Sequence, residues 1–179
     1  MSLEVVAPLA GRLVSMEEVS DPVFAQGLVG PGVALVPDVP GTQQALSPIA
    51  GRILKMHPHA FVVVSDAGPA VLVHLGIDTV RLEGAGFTLL HDEGDTVSPG
   101  EPVTSWAPDS VRAQNLDPVV PVVLMNLSGQ DIDTVAQVGH PVSPGQVNLR
   151  LSCPASTQTP ASPRQTGDSA HALVHDVQQ

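Results

Sequence analysis

A chain of 179 residues, 42% of them hydrophobic, is long enough to bury a core of its own. Its 18 acidic against 7 basic residues give a formal charge of −11 that repels a phosphate backbone, and 2% aromatic residues with no Tyr leave little to stack on bases, so nucleic acid is excluded as a partner. The single cysteine, Cys153, excludes an internal disulfide, and no run of about 18 apolar residues offers a membrane span. The opening MSLEVVAPLAG lacks the basic and long apolar regions of a signal peptide, so the expected location is cytoplasmic.

Short Val-rich bursts separated by Gly and Pro run along the chain. Ala7–Val14 (APLAGRLV) recurs 40 residues later as Ser47–Leu54 (SPIAGRIL). Gly32–Val36, Phe61–Ser65 and Val71–His74 read as strands of four or five residues. Asp66–Pro69 between the last two is a turn that folds them into a hairpin. Val97–Gly100 (VSPG) recurs 45 residues later as Val142–Gly145, each time after a turn glycine, Gly94 or Gly139. Paired echoes of this kind predict two related halves. Asp109–Gln114 is a predicted short helix with Asp109 as its N-cap, and Asp131–Val135 a predicted helical turn. The expected fold is all-β, an antiparallel sandwich or barrel-like sheet pair with duplicated strand–turn units and few short helices. Residues 1–151 form the predicted domain. The Pro, Ser, Thr and Gln of residues 152–179 predict a disordered tail, with mild apolar character only at His171–Val177.

Seven histidines are present, and His57, His59 and His74 lie in or beside the strand-like segments. His59 opens the run that ends at Val64, and His74 closes the run Val71–His74. The predicted hairpin brings both to one end of a sheet, on a shallow, accessible patch. An imidazole attacks phosphorus well when its proton sits on the other ring nitrogen, and a second imidazole can donate to the phosphoryl oxygens. The small Gly76 permits close approach. Spacing alone leaves a structural role for both rings equally open. His91 and His140 read as surface turn residues, and His171 and His175 as tail composition.

At these residues the sequence resembles the glucose-family enzyme IIA component of the bacterial phosphoenolpyruvate-dependent sugar phosphotransferase system. The segments that carry the resemblance are Asp21–Gln26 (DPVFAQ), Pro58–Phe61 (PHAF), Val73–Val80 (VHLGIDTV), Leu82–Phe87 (LEGAGF) and Glu93–Val97 (EGDTV). They follow the family's order and spacing from about Ala7 to Arg150. The resemblance implies an antiparallel β-sandwich. It implies that His74 accepts a phosphoryl group from the histidine phosphocarrier protein and passes it to the cysteine of a sugar-specific IIB domain on a membrane permease. It implies that His59 steadies the phosphate, and that Val23, Phe24, Val29 and Val80, rimmed by Asp21 and Asp78, form the partner-docking face. No cofactor is required. Some members bind zinc through the two histidines, here His59 and His74, at a partner interface, and some regulate other proteins. Two positions depart from the family pattern: His57 stands where Thr is usual, and Pro31 where an acidic residue is often found between two glycines.

Two readings from other classes stand beside this one. His57, His59, His74 and Asp78 offer enough ligands for a zinc-dependent hydrolase. Lysostaphin-type zinc endopeptidases use such elements in the reverse order. The other is a non-catalytic β binding module with inert histidines.

Overall fold

Three segments, Ala60–Val64, Ala70–Val73 and Val120–Met125, are apolar at every position but for one proline. Runs of this kind belong to strands covered on both faces rather than to strands with one face in water. The computed structural model, which describes residues 2–127 and 131–152, places all three at the centre of one sheet. In chain order the elements are β1 (Ser2–Val6), β2 (Gly11–Ser15), a 3-10 turn (Met16–Glu18), α1 (Pro22–Ala25), β3 (Gly32–Pro37), β4 (Gln43–Leu46), β5 (Gly51–His57), β6 (Ala60–Val64), β7 (Ala70–His74) and a second 3-10 turn (Thr79–Leu82). Then follow β8 (Phe87–Leu89), β9 (Thr96–Val97), β10 (Pro102–Trp106), α2 (Pro108–Ala113), β11 (Val120–Met125), β12 (Asp131–Thr134), β13 (Pro141–Val142) and β14 (Val147–Ser152).

The main sheet is antiparallel, in the order β13-β2-β3-β11-β7-β6-β5-β9, and two three-stranded sheets, β1-β14-β12 and β4-β10-β8, complete the fold. Because successive side chains point to opposite faces, the central strands feed two separate cores. Phe61, Val63, Val71, Val73, Val122 and Leu124 join Leu13, Leu35 and Trp106 on one side. Ala60, Val62, Leu72, Val123 and Met125 join Val14, Ala34, Phe24 and Val29 on the other.

The sequence echoes are structural ones. Gly11 opens β2 and Gly51 opens β5, and the two strands sit next to the short edge strands β13 and β9 at opposite ends of the main sheet. Val142 pairs with Gly11 as Val97 pairs with Gly51. The turns after them also match: Ser98 N–H donates to Glu101 Oε2 at 2.8 Å, and Ser143 N–H to Gln146 Oε1 at 3.1 Å. The halves lock together by exchange, Val6 N–H donating to Pro48 O at 2.9 Å and Leu46 N–H to Pro8 O at 2.7 Å.

The antiparallel sheets and few short helices are as expected, and the main sheet stays open among the described residues, so the fold is not a closed barrel. Two expectations about single elements are corrected. Asp131–Thr134 is a strand, not a helical turn: its D-I-D-T pattern has period two, Ile132 packs on the core, and residues 131–134 pair with Ser152–Leu149 of β14. Asp109 is not the N-cap of α2. Pro108 occupies the first turn, where a missing N–H costs nothing, so Ala107 takes the cap, and Asp109 accepts from Gly41 N–H at 3.1 Å and Arg112 at 2.8 Å. Strand β14 runs through Ser152, and the expected tail from Cys153 on, with His171 and His175, lies outside the described residues. No helix is long and apolar enough to cross a membrane among the described residues.

The two-fold correspondence makes a stability prediction. A Cβ on Gly11 would lie 2.5 Å from Val36 O, and one on Gly51 2.1 Å from Val64 O, both backbone atoms. Gly11→Ala and Gly51→Ala are each expected to cost about 1–3 kcal/mol through overpacking, seen as lower urea midpoints. Wild-type midpoints in both variants would refute the close crossing.

Candidate functional site: a histidine pair at the end of the sheet

The ladder between β6 and β7 sets Ala60 opposite His74, and Leu75 N–H donates to His59 O at 2.7 Å one step further on. His59 occupies the turn before β6 and His74 the last position of β7, so the hairpin brings both imidazoles to the same end of the main sheet. Their ring centroids are 5.3 Å apart, edge to face at 70°. The proximity expected of the pair is present.

Just past His74 the chain reverses at Gly76, with φ +83. There a Cβ would meet Thr79 Cγ2 at 2.6 Å and Asp117 O at 3.1 Å, so glycine is required on both counts. The reversal points the Gly76 carbonyl back at the ring, and His74 Nδ1 lies 2.5 Å from it. A carbonyl oxygen only accepts, so Nδ1 carries the proton and Nε2 holds the free lone pair. Thr79 Oγ1 donates to Leu75 O at 2.8 Å and Ile77 N–H to Asp117 O at 2.8 Å, which fix the reversal.

Asp117 was not singled out by any sequence motif, yet it joins two parts of the site. Its backbone carbonyl holds Ile77, and its carboxylate accepts from Ser20 Oγ at 3.1 Å and Val119 N–H at 3.0 Å. It thereby ties the segment before α1 to the loop after His74. The only sequence signal was an Asp-Pro step.

The expectation of a shallow, accessible patch is corrected: His74 is 2% exposed and His59 5%. The cover over His74 includes Phe24, whose ring centroid lies 5.3 Å away. Phe24 and Val29, 1% and 6% exposed, are themselves core residues and not an open docking surface. Val23 and Val80 are half-buried. Leu28, missed in the sequence, is 65% exposed and bonded through its N–H to Val23 O at 3.1 Å. Of the predicted rim, Asp21 caps α1 by accepting from Val23 N–H at 2.8 Å, and Asp78 is exposed in the left-handed conformation at φ 59.

Burial and charge compete over the protonation of the pair, and burial wins. Desolvation lowers the His74 pKa to about 4, against the Gly76 hydrogen bond and the charges of Asp21 and Asp78, which raise it. His59 is lowered to about 3, first by desolvation and then by its neighbours His74 and His57. Both rings are neutral at pH 7, the state a nitrogen nucleophile needs.

The sequence profile of the phosphoenolpyruvate-dependent sugar phosphotransferase system, EIIA 1, matches residues 3–147. The chain belongs to this EIIA family. It is 35% identical over 126 residues to the glucose-specific EIIA component of Oceanobacillus iheyensis, covering 69% of this chain and 74% of that protein. It is 34% identical over 148 residues to the beta-glucoside-specific EIIBCA component of Bacillus subtilis, covering 82% of this chain but 24% of that longer protein. Among solved structures, glucose permease IIA from Mycoplasma capricolum superposes with a TM-score of 0.76 at 28% identity, over 84% of this chain and 96% of that one. This EIIA chain is therefore a phosphoryl carrier of a sugar phosphotransferase system, with an antiparallel β fold.

The neutral histidines make stability pH-dependent. In the unfolded chain both take up protons below the ordinary value of about 6.5, while in the fold they resist to about 4 and about 3. Stability is full above pH 6.5 and falls as pH drops from 6.5 toward 4, by up to about 1.4 kcal/mol per pH unit for each ring. Urea titrations between pH 7 and 4.5 check this, and the slope should shrink in His59→Gln/His74→Gln.

Proposed function

We propose that His74 is the phosphoryl acceptor of this EIIA chain and His59 its assistant. The observation that carries the reading is the bond from His74 Nδ1–H to Gly76 O, which leaves Nε2 unprotonated beside the second ring. The donor is the histidine phosphocarrier protein in its phosphorylated form. The Nε2 lone pair forms the new N–P bond as the donor's N–P bond breaks, and the bonding pair leaves with the donor nitrogen. The Nδ1 proton stays in its bond to Gly76. Such a loose, in-line transfer needs positioning and charge stabilisation more than covalent assistance. A His59 N–H directed at the equatorial oxygens supplies the latter. Transfer onward to the cysteine of a sugar-specific IIB domain repeats the exchange with thiolate as nucleophile. The EIIBCA relative, which by its name joins A, B and C components, supports this order of partners. The membrane is reached only through the permease.

Near-complete burial shields the phosphoramidate from water, and it makes the segment around α1 the part a partner must engage. Val23, Leu28 and Val80 supply the apolar contacts, and Asp21 and Asp78 the charge for basic residues on a partner. Phe24 and Val29 act from beneath this surface, by holding α1 in place. The reaction calls for no cofactor. A zinc ion shared with a partner would find Nε2 of His74 and a nitrogen of His59, with the remaining tetrahedral ligands coming from that partner. A self-contained zinc hydrolase is not supported: among the described residues, no group of three or more His, Cys, Asp and Glu is arranged to hold a metal.

Incubation with phosphoenolpyruvate, enzyme I and the phosphocarrier should give an acid-labile, alkali-stable phosphoprotein. Label should vanish in His74→Ala and persist in His91→Ala. Persistent label in His74→Ala would remove the assignment. In His59→Ala, label at His74 should form while transfer to IIB falls about a hundredfold; unaltered kinetics would remove the assisting role. Leu28→Asp should weaken phosphocarrier binding at least about tenfold, the penalty of setting a charge into an apolar contact, in an isothermal titration.

A further inference from the structure

Two arms of the chain close on His74, and one side chain joins them. The first arm is the loop after β7. Its Gly76 carbonyl holds His74 Nδ1–H, and Ile77, next in the chain, donates its N–H to Asp117 O at 2.8 Å. The second arm opens with Ser20 and continues as α1, whose Phe24 ring centroid lies 5.3 Å from that of His74. Phe24, Ile77 and Val119 are buried in one cluster, so both arms pack on the same core.

The half-buried Asp117 carboxylate stands where the arms meet, with both oxygens engaged. Pro118 has no N–H, so Val119 is the next residue that can donate, and its N–H holds Oδ1 at 3.0 Å. With one oxygen held by its own backbone, the carboxylate has little freedom to turn. Its Oδ2 accepts from Ser20 Oγ at 3.1 Å. Ser20 adjoins Asp21, the cap of α1. A path that leaves the His74 ring at Nδ1 therefore passes through Ile77, Asp117 and Ser20 and returns to the same ring at Phe24.

The closed path answers a requirement of the transfer. An in-line attack needs Nε2 held on its line of approach, and a small displacement costs rate rather than affinity. The bond to Gly76 O sets the tautomer but leaves the ring free to swing about that bond. Contact with Phe24 removes this freedom to the extent that α1 keeps its place against the loop. We propose that Asp117 is a positioning residue for phosphoryl transfer, its carboxylate fixing α1 against the loop after His74 so that the ring is held from both sides. The proposal rests on the role assigned above to His74.

The test separates positioning from stability. Ser20→Ala cuts the tie between the arms at an exposed position, Asp117→Ala removes both side-chain acceptors, and Asp117→Asn keeps an acceptor oxygen and the shape. Each protein, 15N-labelled at histidine, takes phosphate from the phosphorylated phosphocarrier in a rapid-quench single turnover. The limiting rate should fall about tenfold in Asp117→Ala and about threefold in Ser20→Ala, with the half-saturating carrier concentration unchanged. Exchange of the His74 Nδ1–H with water should quicken at least about threefold in both. Asp117→Asn should recover most of the rate and of the protection. Wild-type rate and exchange in Asp117→Ala, with only the urea midpoint lowered, would overturn the proposal. If Asp117→Ala does not fold, wild-type rate and exchange in Ser20→Ala would overturn it instead. Absence of label at His74 in the wild-type protein would overturn the reading on which it rests.

Discussion

The hydrogen bond from His74 Nδ1–H to the Gly76 carbonyl is the interaction on which this site depends. It selects one tautomer of a ring that otherwise divides its proton between two nitrogens, and so leaves on Nε2 the lone pair that the proposed transfer uses. The bond exists because the backbone turns back at a residue with φ +83, in a space too small for a Cβ. It persists because Thr79 and Asp117 hold the chain on either side. Burial adds the second condition. Desolvation keeps the ring neutral although two carboxylates pull its proton affinity upward. A site built on the opposite balance would present a cation at pH 7, with no lone pair to offer.

The rest of the fold supplies the surroundings that this balance needs. A strand buried on both faces gives a dry environment at its end, and β7 is such a strand. Its partner β6 is another, and their register carries the second imidazole to within ring contact of the first. The duplicated arrangement around β2 and β5 sets the two ends of the main sheet, with short edge strands that leave little backbone open to mispairing. The asymmetry between the halves then becomes informative. One end of the sheet holds the His57–His59 tip, and no matching histidine pair stands in the other half of the echo, around Ala7–Val14.

Much of this was legible in the residues. The Val-rich runs, the Asp66–Pro69 turn and the VSPG echoes each describe local backbone preferences, and each returned as a strand, a hairpin or a repeated turn. The expected helical turn at Asp131–Val135 is instead a strand over Asp131–Thr134, because so short an alternating stretch is settled by its pairing with β14, which the local residues do not record. Asp109 was misread because a capping residue and a proline competed for the same helix start. Phe24 and Val29 belong to the docking face that the resemblance implies, but a short apolar segment reads the same whether it lies over a core or within one, and burial places both in the core.

By itself the sequence determined the fold class, the family and which histidines would meet, because these follow from the order of short strands and from a colinear set of motifs. Tertiary structure alone decided the tautomer of His74, the neutrality of both rings, the depth of the site and the link through Asp117. Those properties depend on which groups surround an atom and how far water is kept from it. Segments distant in the chain set both, and no local pattern of residues records their distances.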